Sequence, residues 1–141
     1  MITPDDLAQV DLVIARARKA QLAFEADGSQ ARYDQAAQAV GWAIMEPARN
    51  RSLAELSVQT TGLGNIVDKI TKNHRKTLGL LRDISGAKTF GVVSDDLSTG
   101  ITEIARPIGV VGAVVPSTNP VATPANNIIN ALKGGNAIVL S

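Results

Sequence analysis

Residues 116–120, with the sequence Pro-Ser-Thr-Asn-Pro, carry the side chains of this sequence that are best suited to chemistry. Ser117, Thr118 and Asn119 bring hydroxyl and amide groups, which can donate hydrogen bonds to a ligand or to charge that develops in a reaction. Pro116 and Pro120 stiffen the segment. The same polar groups also commonly cap a following helix. The residues alone leave both interpretations open, a ligand site and a helix cap.

Other candidate motifs have simpler interpretations. The stretch TGLGNIV, residues 61–67, resembles part of a dinucleotide fingerprint, but Val67 takes the third glycine position and no strand precedes it, which favours a helix boundary. The basic run KNHRK, residues 72–76, indicates a solvated helix face or an anion site. His74 has no partner at ligand spacing, so no metal site is expected. Cysteine is absent, which excludes a cysteine nucleophile within these residues.

Helices are predicted for residues 1–86, taken as an N-terminal helical segment. Thr3, Ser29 and Asn65 are placed as N-caps, and the first forms a variant capping box with Asp6. Gly28, Pro47 and the segment TTGLGN divide the helices, and the fourth ends at residues 85–86. Apolar residues recur at helical spacing in three of them: Leu7, Val10, Ile14 and Ala17; Tyr33, Ala37, Val40 and Ile44; Ile66, Val67, Ile70, Leu78 and Leu81.

Strand patterns follow the helices. Residues 87–107 have β-branched runs on either side of the turn SDDLSTG and predict a hairpin. Residues 108–141 then read as buried strand, loop, helix and buried strand, a βαβ unit that forms parallel sheets. The predicted fold is therefore α/β, with the first βαβ unit of a Rossmann-like domain. Ligands bind beyond the carboxyl ends of such strands, where residues 116–119 and Ser141 would lie.

The composition and charge of the sequence exclude several classes of function. Lys plus Arg is 14 and Asp plus Glu is 13, which gives no electrostatic case for nucleic acid or an anionic membrane. The longest apolar run is too short to span a bilayer, and the N-terminus lacks a signal-peptide pattern, so a cytoplasmic location is expected. From Pro107 to Ser141 the one charged residue is Lys133. Because two parallel strands and one helix do not make a stable domain, we expect an incomplete sheet and a longer parent protein.

The segments ARPIGVVGAVVPSTNP and NALKGGNAIVLS resemble the aldehyde dehydrogenase superfamily, in which a proline-glycine strand leads to a loop, a helix, a Gly-Asn pair and a second apolar strand. The upstream segments TTGLGNIVDKITKNH and TFGVVSDDLSTGITEIARPIG are similar to its CoA-acylating branch. That branch includes acetaldehyde dehydrogenases and the aldehyde half of bifunctional aldehyde–alcohol enzymes.

The resemblance implies roles for particular residues. Thr118 would donate to the oxyanion, with Asn119 as a second candidate. Val114, Val115, Pro116 and Ser117 would line the groove for NAD or NADP, and Ser141 would lie near the adenosine ribose. The nucleophilic cysteine would lie beyond residue 141.

Two departures from the hydrolytic pattern favour the acylating branch, with CoA as co-substrate. In the hydrolytic enzymes the loop reads Pro-Trp-Asn, whereas Ser117 and Thr118 take the Trp and Asn places here. Those enzymes also carry a lysine where Ser141 stands. Acetaldehyde, succinate semialdehyde and sulfoacetaldehyde fit the branch equally well as the small aldehyde substrate.

The resemblance further implies that the hairpin is an oligomerisation arm, so a homo-oligomer, either a dimer or a tetramer, is expected. Three alternatives remain at this point. They are a hydrolytic aldehyde dehydrogenase that yields a free acid, a non-enzymatic nucleotide-binding module, and a helical interaction protein in which the βαβ segment serves only for packing.

Overall fold

The structure, a computed structural model, describes residues 2–141, and it has the expected α/β class: a helical N-terminal part, a hairpin and a βαβ unit. No helix among these residues is both long and apolar enough to cross a membrane. In chain order the elements are α1 (Pro4–Ala26), α2 (Gln30–Met45), α3 (Pro47–Thr61), α4 (Ile66–Asp83), β1 (Gly91–Asp96), β2 (Ile101–Ala105), β3 (Val110–Ala113), α5 (Ala122–Lys133) and β4 (Ala137–Leu140).

The helix boundaries follow local signals. The predicted capping box at Thr3 is confirmed, because Thr3 Oγ1 accepts from the Asp6 N–H at 3.2 Å while Asp6 Oδ2 accepts from the Thr3 N–H at 2.8 Å. Ser29 and Asn65 cap α2 and α4 in the predicted way. Gly62 ends α3 in the left-handed conformation with φ 67°, which a residue without Cβ adopts easily. The TGLGNIV stretch is therefore a helix boundary.

The strands form two separate pairs. β1 and β2 are antiparallel, with an irregularity between Val92 and Ser94 that bends the hairpin. β3 and β4 are parallel, with Val110 opposite Ala137 and Ala113 opposite Leu140. The helix α5 connects β3 to β4 and packs on one face of this pair, and α1 packs on the other.

Two polar side chains fix the start of β4. Gln21 on α1 donates to the Gly135 carbonyl at 2.9 Å and accepts from the Ala137 N–H. Asn136 Oδ1 accepts from the N–H groups of Ile108 at 2.6 Å and Gly109 at 2.9 Å. Both β3 and α1 are thereby tied to one end of β4.

The core lies between α2 and α5. Tyr33 is fully buried, packs its ring against Phe24 and Phe90, and lies directly under Gly135. Lys133, the one charged residue of the C-terminal third, is buried and pairs with Asp34 on α2. The hydrogen bond from Lys133 lowers the pKa of Asp34, against the effect of burial. An ion pair therefore joins the helical part to the βαβ unit.

The apolar stripes of α1 and α4 are only partly buried. Leu7 and Val10 on α1 are exposed, and Val10 lines an open space between α1 and the strands β3 and β4. On α4, Val67 is 72% exposed, while the fully packed positions are polar: Lys69, Asn73 and Thr77. The strands β3 and β4, predicted as buried, are half-buried, because each has an unpaired edge within residues 2–141.

Candidate functional site

The carboxyl ends of β3 and β4 form one edge of the parallel pair. Ala113 and Leu140 are opposite one another at this edge, so the residues that follow them, Val114 and Ser141, emerge side by side. Val114 is 85% exposed. In parallel sheets this edge is where ligands bind, because loops and helix N-termini point polar groups toward it. The structure therefore brings residues 114–117 and Ser141 together at the edge.

Ser141 ties the two strand ends together. Its Oγ accepts a hydrogen bond from the Val115 N–H at 3.0 Å, and its own N–H donates to the Ala113 carbonyl at 3.1 Å. A serine hydroxyl that accepts one hydrogen bond still has its own proton to donate. Ser141 is exposed, so that proton is accessible to a ligand at this edge.

The three polar residues of the loop after β3 have different surroundings. The Asn119 N–H donates to the Pro116 carbonyl at 3.2 Å, and its amide donates to Thr123 Oγ1 at 2.9 Å, so this side chain is directed to the first turn of α5. Ser117 and Thr118 are exposed. The helix α5 begins at Ala122 and has no side-chain cap, so it takes no capping hydrogen bond from either hydroxyl.

A lysine that the sequence did not single out contacts this loop. Lys69 on α4 is 6% exposed, and its Nζ donates to the Thr118 carbonyl oxygen at 3.4 Å. The signal that could have found it is a polar stripe, Lys69, Asn73 and Thr77, at the spacing of one helix face. The same helix also carries apolar residues at helical spacing, which is the commoner sign of a buried face.

A cavity of about 630 Å³ is lined mainly by residues of α4, and Asn126 lines it from α5. Three basic residues line it: Lys72, Arg75 and Lys76. Burial, followed by the charges of Lys69 and Lys76, lowers the pKa of Lys72. His74, in the same turn of α4, is exposed.

The acidic residues of the cavity already have partners. Asp68 accepts from the amide of Asn65 at 2.6 Å, and Asp83 accepts from Arg82 at 2.8 Å. Within residues 2–141, none of the three basic residues is in an ion pair. The cavity therefore has a net positive charge, because its three basic residues outnumber Asp68, whose partner is a neutral amide, and Asp83 pairs with Arg82.

Comparisons with known proteins agree with one another. The model of the aldehyde dehydrogenase family matches residues 2–141. A protein of Cupriavidus necator named sulfoacetaldehyde dehydrogenase (acylating) is 64% identical over 132 residues, which make up 94% of this chain and 27% of that protein. The chain thus spans about a quarter of the length of this relative.

Solved structures resemble the chain over nearly its whole length. An acetylating aldehyde dehydrogenase from Geobacillus thermoglucosidasius has a TM-score of 0.87 and 33% identity, and the match covers 94% of this chain and 29% of that one. A Rhodopseudomonas palustris propionaldehyde dehydrogenase with bound propionyl-CoA has a TM-score of 0.73 and 26% identity, with 93% and 28% covered.

Proposed function

Because the chain belongs to the aldehyde dehydrogenase family, we propose that it is the N-terminal part of a CoA-acylating, NAD(P)-dependent enzyme that oxidises sulfoacetaldehyde to its CoA thioester. The observation that carries this proposal is the 64% identity to the acylating sulfoacetaldehyde enzyme of Cupriavidus necator. The activity belongs to a full-length enzyme of about the relatives' size that carries this chain.

Supporting this proposal, the edge formed by β3 and β4 has the chemistry that a dinucleotide needs. Val114 is exposed there, and the Ser141 hydroxyl keeps a proton that can be donated to a ribose oxygen. We assign Val114, Val115, Pro116 and Ser117 to the lining of this groove. When bound, NAD(P) would supply the hydride acceptor for the oxidation.

The loop after β3 supplies the proposed catalytic donor. When a cysteine thiolate from outside these residues attacks the aldehyde carbon, a C–S bond forms and the carbonyl oxygen becomes an oxyanion. The exposed Thr118 hydroxyl would donate to that oxygen, a contribution that is large because the charge appears only in the transition state. Loss of a hydride from that carbon would leave an acyl group on the cysteine, and the CoA thiol would then take this group as a thioester and free the cysteine. Asn119 is the second candidate, although its amide bonds to Thr123.

Comparing products with and without CoA tests the proposal. The full-length enzyme, given sulfoacetaldehyde and NAD(P), should form a CoA thioester when CoA is present and little free acid when it is omitted. Free acid formed without CoA as fast as thioester forms with it would contradict the acylating assignment and favour the hydrolytic alternative. Tight NAD binding by residues 1–141 alone would instead support a nucleotide-binding module.

A further inference from the structure

Thr118 has few restraints of its own. Among residues 2–141, its one hydrogen bond is made by its carbonyl oxygen, which accepts from Lys69 Nζ at 3.4 Å. Its side chain is exposed at the edge of the parallel strands. A donor to an oxyanion acts only when it lies within hydrogen-bond distance of the atom on which the charge develops, so the backbone that carries it has to be held. In this structure the contact that holds the Thr118 backbone comes from Lys69.

Lys69 belongs to a well-packed part of the molecule. It is 6% exposed and lies on the buried face of α4. One turn further along this face, Asn73 donates to Asn50 Oδ1 at 3.0 Å, and the Asn50 amide donates to the Ile70 carbonyl at 3.0 Å, so α3 and α4 are joined here. A Cβ added at Gly64 would lie 3.3 Å from Lys69 Cε, so the turn before α4 packs closely on the lysine. The lysine side chain is therefore fixed in place.

Stability alone does not explain a lysine at this position. Within residues 2–141 Lys69 is in no ion pair, and its hydrogen bond to Thr118 is long. Burying a charge without an opposite charge is unfavourable, and apolar side chains of similar volume often stabilise such positions. A methionine would fill the same space without a buried charge. Lys69 therefore suits a role in the reaction better than a role in folding.

We propose that Lys69 is a positioning residue, which holds the Thr118 backbone so that the Thr118 hydroxyl reaches the oxyanion. This inference rests on the proposed function and adds to it the residue that places its hydrogen-bond donor. Lys69 acts through the backbone of Thr118 and not through the rest of the aldehyde. Its effect is therefore the same for charged and uncharged aldehydes.

Substitutions at Lys69 in the full-length enzyme test this role. Lys69→Met should slow acylation, followed as NAD(P)H formed in a single turnover, by about tenfold or more for both acetaldehyde and sulfoacetaldehyde, because a small displacement of a reacting group is costly. The free energy of unfolding should stay the same or rise. Lys69→Gln keeps an N–H donor and should recover part of the rate. Lys19→Met removes an exposed lysine from α1 and should leave the rate unchanged.

A double-mutant cycle shows whether Lys69 acts through Thr118. If it does, Lys69→Met should slow acylation by less than about twofold when Thr118→Val is already present. The full loss in that background, an unchanged rate in Lys69→Met alone, or a loss for one aldehyde only would overturn the proposal. If Lys69→Met does not fold, the same cycle is measured with Lys69→Gln, and additive losses would overturn the proposal.

Failure of the proposed function gives a different result. A wild-type enzyme that oxidises acetaldehyde but not sulfoacetaldehyde, or that forms free acid in place of thioester, would contradict the proposed function. The oxyanion forms with acetaldehyde in either case, so the cycle measured with acetaldehyde still tests Lys69.

Discussion

At the scale of single residues, Thr118 and Asn119 are neighbours with different surroundings. The Asn119 amide is held by Thr123 in the first turn of α5, whereas the Thr118 side chain is exposed at the edge of the parallel strands. Only the Thr118 backbone is held, through its carbonyl oxygen and Lys69. A fixed backbone with an accessible hydroxyl suits a donor that acts when negative charge develops on a substrate.

We expect Thr118→Val in the full-length enzyme to slow acylation by about a hundredfold, because it removes the hydroxyl donor and keeps the shape of the side chain. Cofactor affinity should hardly change. Single-turnover kinetics and cofactor titration measure the two quantities separately. Thr102→Val, on the exposed hairpin, is the matched control and should leave both unchanged. An unaltered acylation rate in Thr118→Val would transfer the proposed role to Asn119.

At this scale, the sequence predicts features that depend on neighbouring residues and does not predict those that depend on residues far along the chain. The caps at Thr3, Ser29 and Asn65 act within three residues, so they were predictable. Lys69 was missed because its burial depends on other elements, including the Thr118 carbonyl 49 residues away. Likewise, nothing in the composition of the C-terminal third indicates that Lys133 pairs with Asp34, 99 residues earlier.

At the scale of elements, the junction between α5 and β4 depends on a glycine. Gly135 has φ 73° and lies against the ring of the fully buried Tyr33, and its carbonyl accepts from Gln21. A left-handed backbone and a close aromatic contact at one position leave no room for a side chain. This junction sets where β4 begins, and hence where its carboxyl end meets the candidate site.

Gly135→Ala should therefore destabilise the full-length enzyme by about 2 to 4 kcal/mol, the sum of an unfavourable left-handed alanine and an overlap with Tyr33. The free energy of unfolding in denaturant is the measurement. Gly79→Ala provides the contrast, because a Cβ there has open space and lies inside α4, so we expect stabilisation of about 0.5 to 1 kcal/mol. Similar stabilities for the two variants would contradict the packing described for Tyr33.

At the scale of the whole molecule, the hairpin has little support from its own chain. Above its base, neither β1 nor β2 packs extensively on another described element. Val92, Leu97, Ile101 and Ile104 are exposed on it. An isolated two-stranded hairpin is marginally stable, and an uncovered edge invites pairing. We propose that the hairpin packs on a neighbouring subunit, which keeps the expectation of a homo-oligomer.

Placing charge on this surface tests the proposal. Val92 and Ile104 are opposite one another in the hairpin, so Val92→Asp combined with Ile104→Asp should disrupt the subunit contact through the burial of two unpaired carboxylates. Light scattering coupled to gel filtration should then report a smaller assembly. Glu103→Gln changes an exposed neighbour conservatively and should preserve the mass. An unchanged mass in the double variant would show that the hairpin is not part of the interface.

The hydrogen bonds that join Gln21 to the start of β4 can form only late in the synthesis of the chain. Its partners Gly135 and Ala137 lie 114 and 116 residues further along the chain. A ribosome that adds about 5 to 20 residues per second makes β4 roughly 6 to 23 s after it makes Gln21. During that interval α1 has no strand pair to cover. Until β4 is made, α1 therefore lacks the strand that it contacts most in the folded protein.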